Sequence, residues 1–351
     1  MPRKLSSTGH ADTDLDGHIK AKTRLSRVQT TGDRGPSRNA MMTLPTLDIV
    51  IVNWNTGQAL MHCLESIRST RHDGLQLLHV CIVDNASTDE SLDGFADIDL
   101  PCVVQRNTLN YGFAAACNQG ARGSTADYLL FLNPDTRLTP TSLSVPTRFM
   151  EEPRNRRIGI CGIPLLDDSG EPGSCCAEFP SVRSLCAESC GLDRLMWRRC
   201  KSYRTAARGT ERHRSVDQVI GAFFLVRASL FETLGGFDER FFMYYEEVDF
   251  SLRALIHGYT SCILFEAVAY HTGNVSSNRI KDRRLFYLLR SRLRYTRKHF
   301  SIGGHLVVGI FAFLLEPWVR CLHGVLTKST EAITTTIRGY RYLVEDILLR
   351  H

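Results

Sequence analysis

Residues 129–140 read LLFLNPDTRLTP, an apolar run that stops abruptly at Asn133-Pro134-Asp135. Four or more apolar residues in series suit a strand buried on both faces, as inside a parallel sheet. Pro134 has no N–H to give to a ladder, so the strand is expected to end there. Asp135 is then expected to stand exposed just beyond a strand's carboxyl end, where open α/β sheets bind ligands. A carboxylate so placed suits a hard divalent cation that also holds substrate phosphates, although the same residue could serve an ordinary turn.

Upstream, residues 47–52 (LDIVIV) form a second apolar strand ending at Asn53-Trp54-Asn55, and Leu60, Cys63, Leu64 and Ile67 follow at helical spacing. Residues 77–83 (LLHVCIV) give another strand, stopping at Asp84-Asn85, with a short helix predicted from about Thr88 and capped by Ser87 or Thr88. Cys102 to Val104 is a strand, and Phe113 to Ala121 a helix of small residues. Strands alternating with helices at this spacing predict βαβ units and a mostly parallel central sheet flanked by helices. Beyond Glu151 the alternation loosens. Ile158 to Ile163, Val219 to Val226 and Ser261 to Phe265 read as strands, Tyr245 to Ile256 as a helix closed by Gly258, and 167–214 as an unassigned, mobile loop.

Three strand ends gather polar groups where one nucleotide could lie: Asn53 and Asn55, Asp84 and Asn85, and Asn133 with Asp135. Asp84 could accept from a base or ribose. Asn110 and Gly112 sit in the turn before the small-residue helix that carries Asn118, and alanines there let a backbone approach a ligand whose anion favours the helix N-terminus. The second constellation is 235–249, GGFDERFFMYYEEVD. Glu246, Glu247 and Asp249 open a helix, where negative charge is stabilised, and they cannot all share one face. One can therefore point inward as a general base while another accepts from an Arg, and the aromatic flank would raise its pKa. His271 follows a strand and could complete a metal site with Asp135.

The formal net charge of +6 on 351 residues is small and concentrated in clusters near both ends, so nucleic acid is not expected as a partner. Twelve cysteines without an apolar leader sit mostly in core patterns, which points to a reducing, cytoplasmic compartment. The cluster Cys175, Cys176, Cys186, Cys190 and Cys200 lacks the paired spacing of a zinc site. Residues 1–45, polar and without apolar period, read as a disordered arm. Residues 46–278 form the α/β domain. From 279 to 351 comes a basic, amphipathic helical extension. There, Leu306 to Leu315 is about ten apolar residues cut short by Glu316-Pro317-Trp318, against the roughly twenty needed to span a bilayer. Such helices suit a place in the interface of an anionic membrane.

In this order the segments IVNWNTG (51–57), VDNASTDES (83–91), NYGFAAACNQG (110–120), FLNPDT (131–136), GAFFLVR (221–227), LGGFDERFFMYYEEVDFSLR (234–253) and AYHTGNVSS (269–277) resemble the family 2 inverting glycosyltransferases of GT-A fold, especially bacterial rhamnosyltransferase-like members. The resemblance implies a Rossmann-like nucleotide half joined to an acceptor half. It implies that Asp84 binds the base and ribose of a nucleotide sugar, and that Asp135, in an Asn-Pro-Asp version of the metal-binding DxD motif, holds Mg²⁺ or Mn²⁺ on the diphosphate with His271. Glu247 matches the family's catalytic base, in a Glu-Glu pair where Glu-Asp is usual, and Asn133 replaces the first carboxylate of DxD. The implied donor is a dTDP- or UDP-sugar, dTDP-rhamnose first. The implied acceptor is a lipid-linked or growing cell-surface glycan, with the enzyme peripheral on the inner face of the cell membrane. A non-catalytic membrane-bound nucleotide-sugar-binding module and a sugar-1-phosphate nucleotidyltransferase are the rivals. The second lacks its Gly-rich basic loop here, where Asn53-Trp54-Asn55-Thr56-Gly57 stands instead.

Overall fold

The computed structural model describes residues 44–93, 98–192, 211–273 and 280–349. The arm assigned to residues 1–45 lies, but for its last two residues, outside them, as does Cys200. In chain order the strands are β1 (Thr46–Asn53), β2 (Gln76–Asp84), β3 (Cys102–Arg106), β4 (Tyr128–Leu132), β5 (Thr136–Leu138), β6 (Ile158–Gly162) and β7 (Leu165–Leu166). They continue as β8 (Cys176–Ala177), β9 (His213–Val216), β10 (Gln218–Val219), β11 (Phe223–Arg227), β12 (Thr260–Leu264) and β13 (Ala269–His271). Eight of them make one sheet in the order β3-β2-β1-β4-β11-β6-β12-β9. The pairs β3–β2, β2–β1, β1–β4 and β6–β12 are parallel, whereas β11 and β9 run antiparallel to their neighbours. This is the mostly parallel, helix-flanked sheet that the alternating pattern predicts.

Its centre is apolar because β1 and β4 are buried on both faces, down to Leu47, Ile49, Ile51, Leu130 and Phe131. The loose second half is explained by direction. β11 enters antiparallel beside β4, pairing Phe223 with Leu132, so the strand expected from Val219 breaks at Gly221 and Ala222. The two residues then lie at the carboxyl end of β4, where Asn133 N donates to Ala222 O at 3.1 Å. A small sheet, β5-β13-β7, pairs His271 with Thr136.

Three local expectations need correction. No helix forms at Thr88, because side chains capture the N–H groups a helix would use: Thr88 N donates to Asn55 Oδ1 (2.8 Å) and Ser91 N to Asp89 Oδ1 (3.2 Å). Ser87 Oγ instead accepts from Asn55 N at 3.0 Å, tying two strand-end loops together. The loop assigned to 167–214 contains β8, β9 and a helix, Val182–Ser189, whose Ser181 cap accepts from Ser184 N, while 193–210 lie outside the described residues.

The third concerns the C-terminus. Residues Ile302–Leu326 form a continuous 25-residue helix, not a ten-residue apolar piece. Pro317 is accommodated because it falls in the first turn after a π turn, Phe311–Leu315, which supplies the slack. Glu316 is not an exposed break either: it is buried, bonded to Arg292 and, at 2.7 Å, to Arg320. The basic helix Lys281–His299 is no free membrane helix, since it buries Leu285, Leu289, Arg292 and Tyr295 against the rest of the chain. The described residues form one compact unit.

Candidate active site

A cavity of about 540 Å³ opens at the carboxyl end of β1 and β4, within the range of pockets for small-molecule ligands. Asn85, Asn110, Gly112, Asn133, Asp135, Glu246, Glu247 and His271 line it, as the sequence places them. Five other candidates are absent from its wall. Asn53 is fully buried and donates to Asp84 Oδ1 (2.9 Å) and Ser91 Oγ (2.8 Å). Asp84 also accepts from Ser87 N at 3.2 Å, and Asn55, at φ +52°, accepts from Thr88. Asn118 clamps the glycine loop through Phe237 N and O, both at 2.9 Å. Asp249 faces away.

Pairing of β5 with β13 sets the first side of the site. Thr272 N donates to Asp135 O at 3.2 Å, and His271 Nε2 lies 3.2 Å from Asp135 Oδ1. Asp135 is thus largely covered rather than exposed, its side chain 9% accessible, because the antiparallel strand returning at His271 lies over it. Asn133 Nδ2 is 3.4 Å from His271 Nε2.

The facing side is the N-terminus of the helix Glu246–Ile256. Tyr244 and Tyr245 before it are both left-handed (φ +67° and +71°), a conformation that costs about 1–2 kcal/mol per non-glycine residue. The surroundings hold that strain. Phe250 sits among Phe224, Phe231 and Phe237 at 5.3–5.8 Å between ring centroids, and Tyr245 packs on Tyr295 at 5.3 Å. Asp249, fully buried, accepts from Arg253 (2.7 Å), Lys298 (2.6 Å) and His299 (2.7 Å). Burial pushes its carboxyl up, but these three donors outweigh that and hold it below the usual carboxylate range. Of three acids that cannot share a face, the one turned inward to cations is therefore Asp249.

Glu246 and Glu247 are left to the cavity. The Oε2 atoms of both are buried without a hydrogen-bond partner. Burial raises both pKa values; the charge of Glu247 raises Glu246 further, and backbone N–H groups pull each part of the way back. Of the two, Glu246 is the more deeply buried, and Glu247 keeps some contact with solvent.

Gly112 fixes how the third wall meets the second. Its φ of +91° and ψ of 171° belong to glycine alone, and a Cβ there would lie 2.4 Å from Phe242 O. That close approach lets Phe113 N donate to Phe242 O at 2.6 Å. Asn85 Nδ2 donates to Gly112 O at 3.1 Å and Asn110 Oδ1 accepts from Gly112 N at 2.9 Å. The Asn-rich turn is thus a scaffold as well as a lining.

Sequence reasoning missed Trp54, Phe242, Ile280, Arg283 and Tyr287, all on the cavity wall. Trp54 and Phe242 stand inside quoted motifs. The last three come from the start of the C-terminal segment, where helical periodicity shows a face but not what it covers.

Sheet order and the position of the cleft are those of a GT-A fold. Residues 48–162 match the model described as glycosyl transferase family 2. The chain is 24% identical to the low-salt glycan biosynthesis hexosyltransferase Agl10 of Haloferax volcanii, over 86% of this chain and 92% of that one. It is 28% identical to the N-acetylglucosaminyl-diphospho-decaprenol L-rhamnosyltransferase of Mycobacterium tuberculosis, over 64% and 75%. The solved mannosyltransferase PcManGT of Pyrobaculum calidifontis, in complex with GDP-Man and Mn²⁺, superimposes with a TM-score of 0.50 at 15% identity, over 86% of this chain and 81% of that one, a likeness of fold. The chain thus carries a glycosyl transferase family 2 match at residues 48–162 and is similar to rhamnosyltransferases.

Proposed function

We propose that the chain transfers a sugar with inversion from a nucleoside diphosphate to a hydroxyl of a lipid-linked glycan, Glu247 taking the hydroxyl's proton. The observation that carries this is two buried, unpartnered carboxylates sharing one cavity with the Asp135–His271 pair. A raised pKa suits a general base working near neutral pH, and Glu247 is the less deeply buried residue of the two. Glu246 beside it raises the proton affinity of the pair.

Asp135 and His271 fit a divalent cation: a carboxylate oxygen and an imidazole nitrogen stand 3.2 Å apart on the wall. Among the described residues no group of three or more His, Cys, Asp or Glu comes together, so the protein would supply few ligands and leave positions for phosphate oxygens. Mixed oxygen and nitrogen donors favour Mn²⁺ over Mg²⁺, in keeping with the Mn²⁺ of the mannosyltransferase. A bound cation would neutralise charge developing on the leaving diphosphate. The protein's own part is to bind the base and ribose beside Trp54 and Asn85, aim the anomeric carbon towards Glu247, and keep water out. The rhamnosyltransferase relative supports rhamnose as the sugar and a polyprenyl diphosphate-linked acceptor; dTDP as its carrier is what the family resemblance implies.

The helix Ile302–Leu326 supports a membrane setting. It is long and apolar enough to cross a bilayer, yet Val308, Ala312, Glu316 and Gly324 are buried on the protein. Ile302, Leu306, Ile310, Leu314, Trp318 and Leu322 are exposed. A helix tied to the protein along one side lies in the interface with its other side in lipid.

The deciding experiment is transfer from a panel of nucleotide sugars in Mn²⁺, with EDTA as control. Glu247→Gln should lower kcat at least a hundredfold while donor binding changes little. Near-normal turnover in that variant, with Glu246→Gln inactive, would move the base to Glu246. Full activity in EDTA would remove the cation from Asp135.

A further inference from the structure

The cavity has a charge imbalance that its lining does not resolve. Asp135, Glu246 and Glu247 contribute carboxyls, and among the described residues Arg283 is the one arginine or lysine on the wall. Arg283 is exposed, and among the described residues no ion pair joins it to a carboxylate. It stands one turn before Tyr287, whose ring stacks on Phe242 with centroids 4.4 Å apart and planes at 22°. Phe242 is itself pinned to the small-residue helix through Phe113 N. The stack therefore fixes the start of the basic helix on the catalytic loop, while Ser291 Oγ donates to Met243 O at 2.8 Å two turns on. A guanidinium held this way, open to the cavity and not spent on a carboxylate, has the geometry to take two oxygens of a phosphate group.

We propose that Arg283 is a phosphate-binding residue of this cavity and grips a pyrophosphate. Two substrates of the proposed reaction carry that chemistry: the nucleoside diphosphate, and the pyrophosphate of a lipid-linked acceptor such as the relative's diphospho-decaprenol substrate. The proposal rests on the glycosyl-transfer reading for the identity of the two ligands, and its test needs no turnover.

The test is calorimetric titration of the full chain, Arg283→Ala and Arg283→Lys with Mn²⁺–dTDP, and separately with a short polyprenyl diphosphate in detergent micelles. Arg283→Ala should weaken one of the two at least tenfold, and Arg283→Lys should recover part of the loss as a point charge without the fork. The ligand that weakens identifies the source. Binding of both ligands by Arg283→Ala as tightly as by the native chain overturns the proposal. Loss of binding in Arg283→Ala, with the native chain transferring no sugar in the separate nucleotide-sugar assay, would keep the phosphate site and reject the reaction.

Discussion

Replacing Glu246 by Gln should make the protein more stable, and more so at pH 8 than at pH 4.5. The side chain keeps its shape and loses its charge. Its Oε2 is buried without a donor, and the Glu247 carboxyl adds repulsion. An unsatisfied buried polar atom costs about 1–3 kcal/mol, and more when charged, so removing the charge should return about 1–3 kcal/mol. In a domain of this size that is a rise in Tm of roughly 2–6 °C. The pH dependence follows from the raised pKa. An acid that holds its proton more tightly when folded makes the folded state the stronger proton binder. Stability is then greatest below the ordinary carboxylate value of 4.5 and falls as pH rises, until the folded group has ionised. In the Gln variant that decline is reduced, Glu247 being relieved of the repulsion as well, and titrating groups away from this pair cancel in the difference between the two proteins. Thermal melts of both, from pH 4.5 to 8, read the difference directly. A variant less stable than the native chain at pH 8, or a difference that does not change with pH, would refute the buried, repelled carboxylate.

Gly112→Ala should cost about 3 kcal/mol or more, from a glycine-only backbone conformation and a Cβ 2.4 Å from Phe242 O, and should weaken donor binding; urea unfolding and a dTDP titration check both. Arg292→Met, which leaves buried Glu316 with the half-exposed Arg320 as its one cation among the described residues, should cost about 3 kcal/mol, and adding Glu316→Met should restore most of it; failure of the second change to rescue in denaturant melts would show that the pair is not the cause. Leu314→Asp with Trp318→Asp should abolish co-sedimentation with vesicles containing anionic lipid while leaving Tm nearly unchanged, since both side chains are exposed; equal sedimentation would remove that face from the membrane.

What the sequence reveals depends on whether a residue's role is set by its own segment. The Asn-Pro-Asp stop is legible because a buried run must end at a proline, and the acids of the Glu246–Ile256 helix because their spacing alone denies them a common face. Which acid turns to cations is not legible, since Lys298 and His299 that hold Asp249 lie about fifty residues on, in a helix whose charges look solvated. The same blindness made Glu316 look like an interruption, when Arg292 neutralises it inside the protein. Periodicity reports that a helix has two faces and is silent about what each meets. For Lys281–His299 that silence concealed the most consequential contact in the molecule. One end of this helix walls the cavity with Arg283 and Tyr287, and further along it latches Asp249 and anchors the exposed apolar helix. The segment that reads as an appendage thus joins the exposed apolar helix to the wall that carries the cavity's carboxylates.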